Sequence, residues 1–177
     1  MRVAVLTLLV GGGGLIAAAA GQTPADGKLQ AQLKRLFPSA ISFSPKEGQP
    51  PHFTAYVNDP RSGSRTPAGF VFWTTELEPL ERGYDGPIKI LVGMDTKGIL
   101  AGIIVVDHHE PYGNFSIEPP AFAAQFKGKD IRDPFKVGAD IDAVSRASIS
   151  ITSATRAVRN SARRIARQLL TPPEPGK

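Results

Sequence analysis

The chain of 177 residues contains no cysteine. A disulfide, a lipobox, a c-type haem attachment and a cluster of iron and sulfur held by protein thiolates are therefore excluded from this sequence, although the absence fits either redox compartment. Histidine is almost as scarce, at three residues. Of these, His108 and His109 are adjacent, and neighbouring side chains on an extended strand point to opposite faces. The cluster His108-His109-Glu110 thus predicts no metal site. No Gly-x-Gly-x-x-Gly turn links a strand to a helix, so a dinucleotide-binding Rossmann domain is not indicated. No internal repeat is present, and the length suits one core of ordinary size.

Charge is nearly balanced over most of the chain. Between Gly21 and Ser153 there are 14 Lys/Arg against 15 Asp/Glu, whereas the last 24 residues hold six basic groups against Glu174 alone. The net charge of +5 therefore belongs essentially to one terminal element. At the other end, Arg2 precedes an apolar run that passes through Gly11–Gly14 and finishes at Ala17–Ala20. Small residues at Ala18 and Ala20 suit signal-peptidase cleavage after Ala20, which predicts an extracytoplasmic, periplasmic location. An uncleaved N-terminal anchor is the alternative, since the run could nearly cross a bilayer. The expected organisation is an export segment or anchor over 1–20, one domain over 21–170, and a flexible tail over 171–177.

Leu29, Leu33 and Leu36 recur at helical spacing between Asp26 and Phe37, and Pro38 ends the pattern. Strand-like runs follow at His52–Val57, Ala68–Thr75, Ile88–Val92 and Ile99–Val106. Asp95-Thr-Lys-Gly98 reads as the turn of a hairpin between the last two. A short helix entered through Pro119-Pro120 is expected within Phe115–Phe126, with Lys127–Asp142 irregular. A long helix is expected to begin near Thr152-Ser153 and run to Leu170, its apolar positions opposed by Arg156, Arg159, Arg163 and Arg167. The predicted class is α+β, an antiparallel sheet packed with helices.

Three ordered motifs stand in the second half. They are Gly83-Tyr-Asp-Gly-Pro-Ile-Lys-Ile-Leu-Val-Gly-Met-Asp95, then Val105-Val-Asp-His-His-Glu-Pro-Tyr-Gly113, and finally Asp142-Ala-Val-Ser-Arg-Ala-Ser148. Together they resemble the FMN-binding domain family, most nearly the extracytoplasmic flavin domain at the start of NosR-type membrane proteins. The phrases Phe115–Pro120, Gln125–Gly128 and Ile131–Phe135 carry the same likeness. The resemblance implies FMN esterified through its phosphate by a flavin transferase. In the family's target pattern Asp142 is the leading acid, Ser145 the first hydroxyl, Ala147 the small residue and Ser148 the acceptor. Arg146 stands where glycine is common, and Ser148 where threonine is usual.

The residue chemistry is compatible with those roles. A hydroxyl just before a helix would place a phosphate near unsatisfied backbone N–H groups, with Thr152 and Ser153 as capping candidates. Arg146 could neutralise phosphate. Asp142 suits a divalent metal or a hydrogen bond to the acceptor during transfer. On chemistry alone, Ser145 and Ser148 equally suit a loop or a cap. By the family likeness, Glu110, Tyr112 and Gly113 form a loop near the flavin and Gly83 and Tyr84 a turn near it; a polar turn and ordinary hairpin punctuation are the plainer alternatives.

The resemblance implies an electron-transfer flavoprotein, a redox carrier more than a stand-alone enzyme. Its partners would be separate membrane or periplasmic redox proteins. The basic terminal helix offers a surface for an acidic redox protein or anionic lipid headgroups, or is simply solvated. Export argues against nucleic acid. A non-redox sensory or assembly module on the same fold is the competing reading.

Overall fold

Side-chain alternation along three strands sorts the apolar residues into two cores. The computed structural model describes residues 24–170; the expected export segment over 1–20 and tail over 171–177 lie outside the described residues. In chain order the elements are α1 (Pro24–Leu36), β1 (Ser42–Phe43), β2 (Phe53–Asn58), β3 (Arg65–Trp73), α2 (Thr74–Leu77), β4 (Lys89–Asp95), β5 (Leu100–Asp107), α3 (Gly113–Ser116), α4 (Pro120–Ala124) and α5 (Ser148–Leu169). The sheet runs β1-β2-β3-β4-β5 with every neighbouring pair antiparallel. This is the expected α+β architecture.

On one face Phe72 of β3, Ile90, Val92 and Met94 of β4, and Ile103 of β5 meet Ile151, Ala154, Val158, Ala162 and Ile165 of α5. On the other, Val71 and Trp73 of β3 and Leu91 of β4 meet Leu33 and Leu36 of α1. The switch of layer at each successive residue is the period of two that a strand imposes. Fully burying one such side chain contributes about 1.5–3 kcal/mol, so the two layers together fix the sheet between α1 and α5.

The first helix and the four longer strands lie within a few residues of their expected places. Three short elements, β1, α2 and α3, were not expected, and β3 begins at Arg65 instead of Ala68. The larger correction concerns α5. It starts at Ser148, four residues before Thr152, and its N-cap is Ala147 with no side-chain capping bond. Thr152 and Ser153 therefore lie inside the helix and cap nothing.

The arginine side of α5 also differs from a free solvated stripe. Arg156 donates twice to Glu81, Arg163 to the carbonyls of Ile131 and Asp133, and Arg164 to the carbonyl of Leu77. These bonds pin the helix to segments that precede it. Among the described residues, no helix is long and apolar enough to cross a membrane.

Candidate functional site

The turn at Gly83–Pro87 closes through a bond from Gly83 N–H to Gly86 carbonyl, 2.7 Å long. It is held against the rest of the protein by Glu110. That carboxylate accepts from the backbone N–H of Tyr84 at 2.9 Å and of Asp85 at 3.0 Å, and also from the hydroxyl of Ser150 in the first turn of α5. One buried carboxylate thus joins the turn, the loop after β5 and the start of the long helix.

Burial by itself pushes the Glu110 carboxyl upward, but the Ser150 hydroxyl and the N–H groups of Asp85 and Tyr84 outweigh it. The group is held below its ordinary value. Glu110 is 6% exposed. Its oxygens face inward to these donors, so it supports the site from behind.

Glycine makes room on both sides of this clamp. A Cβ on Gly83 would fall 2.4 Å from Glu110 Oε1, and one on Gly113 would fall 2.2 Å from His108 Cε1. Both separations are far inside contact distance, so a side chain at either position would require the Glu110 carboxylate or the His108 ring to move.

In front of the clamp lies a cavity of about 320 Å³, lined by Tyr84, Pro111, Tyr112 and the run Arg146–Ser150. This volume sits at the lower end of the range for small-molecule sites, about 300–1,000 Å³. Tyr84 is 70% exposed, Tyr112 46% and Ile149 56%. Three of the six exposed large hydrophobic residues in the described structure therefore border one cavity. A fourth, Phe115, packs on Tyr112 with ring centroids 5.4 Å apart.

Ser148 is exposed and is the first residue of α5, so it belongs to the helix and does not precede it. The first intrahelical bond returns from Ile151 N–H to Ala147 carbonyl at 3.0 Å. The N–H groups of Ser148, Ile149 and Ser150 accordingly have no acceptor within the helix and lie at its positive end. Arg146 adopts φ +69°, the left-handed region that glycine enters without cost. The position where the motif ordinarily carries glycine is thus the one whose backbone calls for it, and here it carries a cation.

Of the residues singled out in the sequence, Tyr84, Tyr112, Arg146, Ala147 and Ser148 meet in this cavity. Gly83, Glu110 and Gly113 stand behind it as described. Asp142 and Ser145 do not line it; Asp142 donates its N–H to Gln125 Oε1 at 2.7 Å. Thr152 shares a neighbouring recess with Ser148, Arg82 and Arg156. Sequence reasoning missed Ser150 and Ile149, which were legible only once the helix start was placed at Ser148; Pro111 belongs to the Glu110–Gly113 loop expected near the flavin.

A larger cleft of about 650 Å³ lies toward the C-terminal end of α5, lined by Lys97, Arg132, Arg163 and Arg167 with apolar neighbours. None of the site residues singled out in the sequence lies in it. Volume alone would direct attention there, but the convergence of those residues favours the smaller cavity.

That convergence can be set beside known proteins. Residues 83–163 match the FMN-binding domain. The matched segment contains the turn, the Glu110 loop, the cavity-lining run and most of α5. The G component of the ion-translocating oxidoreductase complex of Vibrio vulnificus (strain YJ016) is 33% identical over 89 residues, covering 45% of this chain and 42% of that protein. The chain thus aligns with less than half the length of this relative. The likeness is to an FMN-binding domain, and neither match singles out the NosR type.

Proposed function

We propose that this chain is an extracytoplasmic electron-transfer flavoprotein that holds FMN in the cavity at the start of α5, with the FMN phosphate esterified to Ser148 Oγ. The observation that supports it best is the meeting of an exposed hydroxyl, an arginine, a helix N-terminus and two tyrosine rings in one cavity inside the segment that matches the FMN-binding domain.

The residues fit that cofactor at each of its ends. Ser148 Oγ provides the oxygen for a phosphoester, serine differing from the usual threonine by one methyl group. The first-turn N–H groups of α5 and the Arg146 guanidinium satisfy phosphate charge. Tyr84 and Tyr112 offer flat apolar surface to the ring system and exclude water from part of it. Glu110 orients the Tyr84 turn against the helix start. Asp142 and Ser145, outside the cavity, are reachable by a flavin transferase, to which Asp142 could present a metal ligand. Thr152, one turn beyond Ser148, borders the adjoining recess. Bound FMN supplies the electron-accepting and electron-donating chemistry, while the protein sets its orientation and solvent access.

The named relative belongs to an oxidoreductase complex. By that likeness this chain exchanges electrons with separate membrane or periplasmic redox proteins. Arg156, Arg163 and Arg164 are engaged within the protein, and Arg132 is paired with Asp130, which leaves Arg159, Arg167 and Lys97 as the cations of the terminal helix region best suited to an acidic partner or membrane surface.

Intact-mass measurement after denaturation tests the central claim. The exported protein, produced together with a flavin transferase, should carry one FMN less one water, with the mass gain absent from Ser148→Ala. A wild-type protein that acquires neither the adduct nor reversibly bound flavin would overturn the reading.

A further inference from the structure

His108 lies outside the cavity, yet it touches both ends of the loop that forms one cavity wall. Its Nδ1 accepts the backbone N–H of Glu110 at 3.1 Å, and its Nε2 lies 3.2 Å from Glu118 Oε1. The ring also fills the space beside Gly113, where a Cβ would come within 2.2 Å of Cε1. The imidazole is therefore wedged between Glu110 and Gly113, with Pro111 and Tyr112 carried between them. Only 12% of its side chain is exposed, and the neighbouring His109 makes no comparable contact among the described residues.

We propose that His108 is a positioning residue whose imidazole fixes the Glu110–Gly113 loop and, through it, the Tyr112 wall of the flavin cavity. This rests on the flavin reading above and adds to it the side chain that holds one cavity wall in place.

The contacts assign the ring nitrogens. A nitrogen that accepts an N–H bond carries no proton, so Nδ1 is the acceptor and the ring hydrogen sits on Nε2, the atom facing Glu118. Without the ring the Glu110 N–H has no such acceptor, and the loop loses that hold.

The charged groups facing the ring are Glu118, from the link between α3 and α4, and Glu110 on its own loop; Asp107 and His109 are its neighbours along the chain. Glu118 faces Nε2 while Nδ1 holds the Glu110 N–H, so a single side chain ties the loop to the link between α3 and α4. Displacement of Glu110 N would be felt at Tyr84 and Ser150, because the same residue's carboxylate holds both.

The test uses the full exported chain loaded by a flavin transferase, with flavin content measured first by mass. Visible circular dichroism and the flavin midpoint potential are then compared at neutral pH for wild type, His108→Ala and His108→Asn. His108→Ala should show an altered dichroism signature and a shifted potential. Asparagine offers Oδ1 in place of Nδ1, so His108→Asn should keep the wild-type signature and potential.

A flavin-loaded His108→Ala protein with wild-type dichroism and wild-type potential would overturn the proposal. So would a His108→Asn protein as altered as His108→Ala. Failure of the underlying flavin reading appears separately, as absence of flavin from the wild type.

Discussion

Ser150 donates its hydroxyl to Glu110 from a position 40 residues further along the chain. The same carboxylate receives the N–H groups of Tyr84 and Asp85, so three segments of sequence share one anionic hub.

Replacing Glu110 by glutamine should destabilise the protein by about 2–4 kcal/mol, because an amide cannot accept from all three donors and directs its own NH₂ at one of them. The pH dependence has a definite sign. The folded-state pKa lies below the ordinary 4.5, so the wild-type contribution is fully present above that value and is lost as pH falls through the lower folded value. Urea unfolding at a series of acidic pH values should show this loss in wild type and a flatter profile in Glu110→Gln. Equal slopes in the two proteins would remove Glu110 as the source.

Gly83→Ala should cost about 1–3 kcal/mol by overpacking, since its Cβ would lie 2.4 Å from Glu110 Oε1. Thermal unfolding measures the cost. If the clamp yields, Gly83→Ala in a Glu110→Ala background should be markedly cheaper than in wild type; full additivity would show that the two sites are not in contact.

Arg146→Gly separates backbone from charge. Release from φ +69° should stabilise the fold by about 0.5–1 kcal/mol after allowance for glycine's unfolded-state entropy. Flavin attachment should become slower, because the cation beside the acceptor is gone. Calorimetry reads the first effect and a time course of adduct mass the second; a slower rate with no gain in stability would show that the left-handed conformation carries no strain.

Much of this architecture was legible beforehand, for local reasons. Apolar runs bounded by turn residues disclosed β4 and β5, and the leucine spacing of α1 disclosed its buried stripe. The start of α5 was not legible, because the preference for Ser or Thr at an N-cap pointed to Thr152 and Ser153, whereas the chain enters the helix at Ala147 with no side-chain bond. Nor could a sequence pattern reveal that Arg163 and Arg164 bond to backbone carbonyls, which every residue possesses. At the site, the motif residues Tyr84, Tyr112, Arg146, Ala147 and Ser148 were named in advance, but the clamping function of Glu110 was not, since its partners are 25, 26 and 40 positions away.

Ser148→Thr should accept flavin at least as completely as wild type in the intact-mass measurement, with stability changed by less than about 0.5 kcal/mol at an exposed first helical position. A threonine variant that takes up no flavin would show that the cavity discriminates against the added methyl group.

The arginine bonds along α5 bear on how a group tethered at Ser148, as proposed, could move. With Arg156, Arg163 and Arg164 fastened to Glu81, to Ile131 and Asp133, and to Leu77, the helix can neither slide nor pivot without breaking several contacts at once. Its first residue accordingly shares the motion of the whole body. For a cofactor bonded there, the available swing is confined to its own rotatable bonds, and the distance it can reach toward an electron partner is set by the length of that linkage from a stationary pivot.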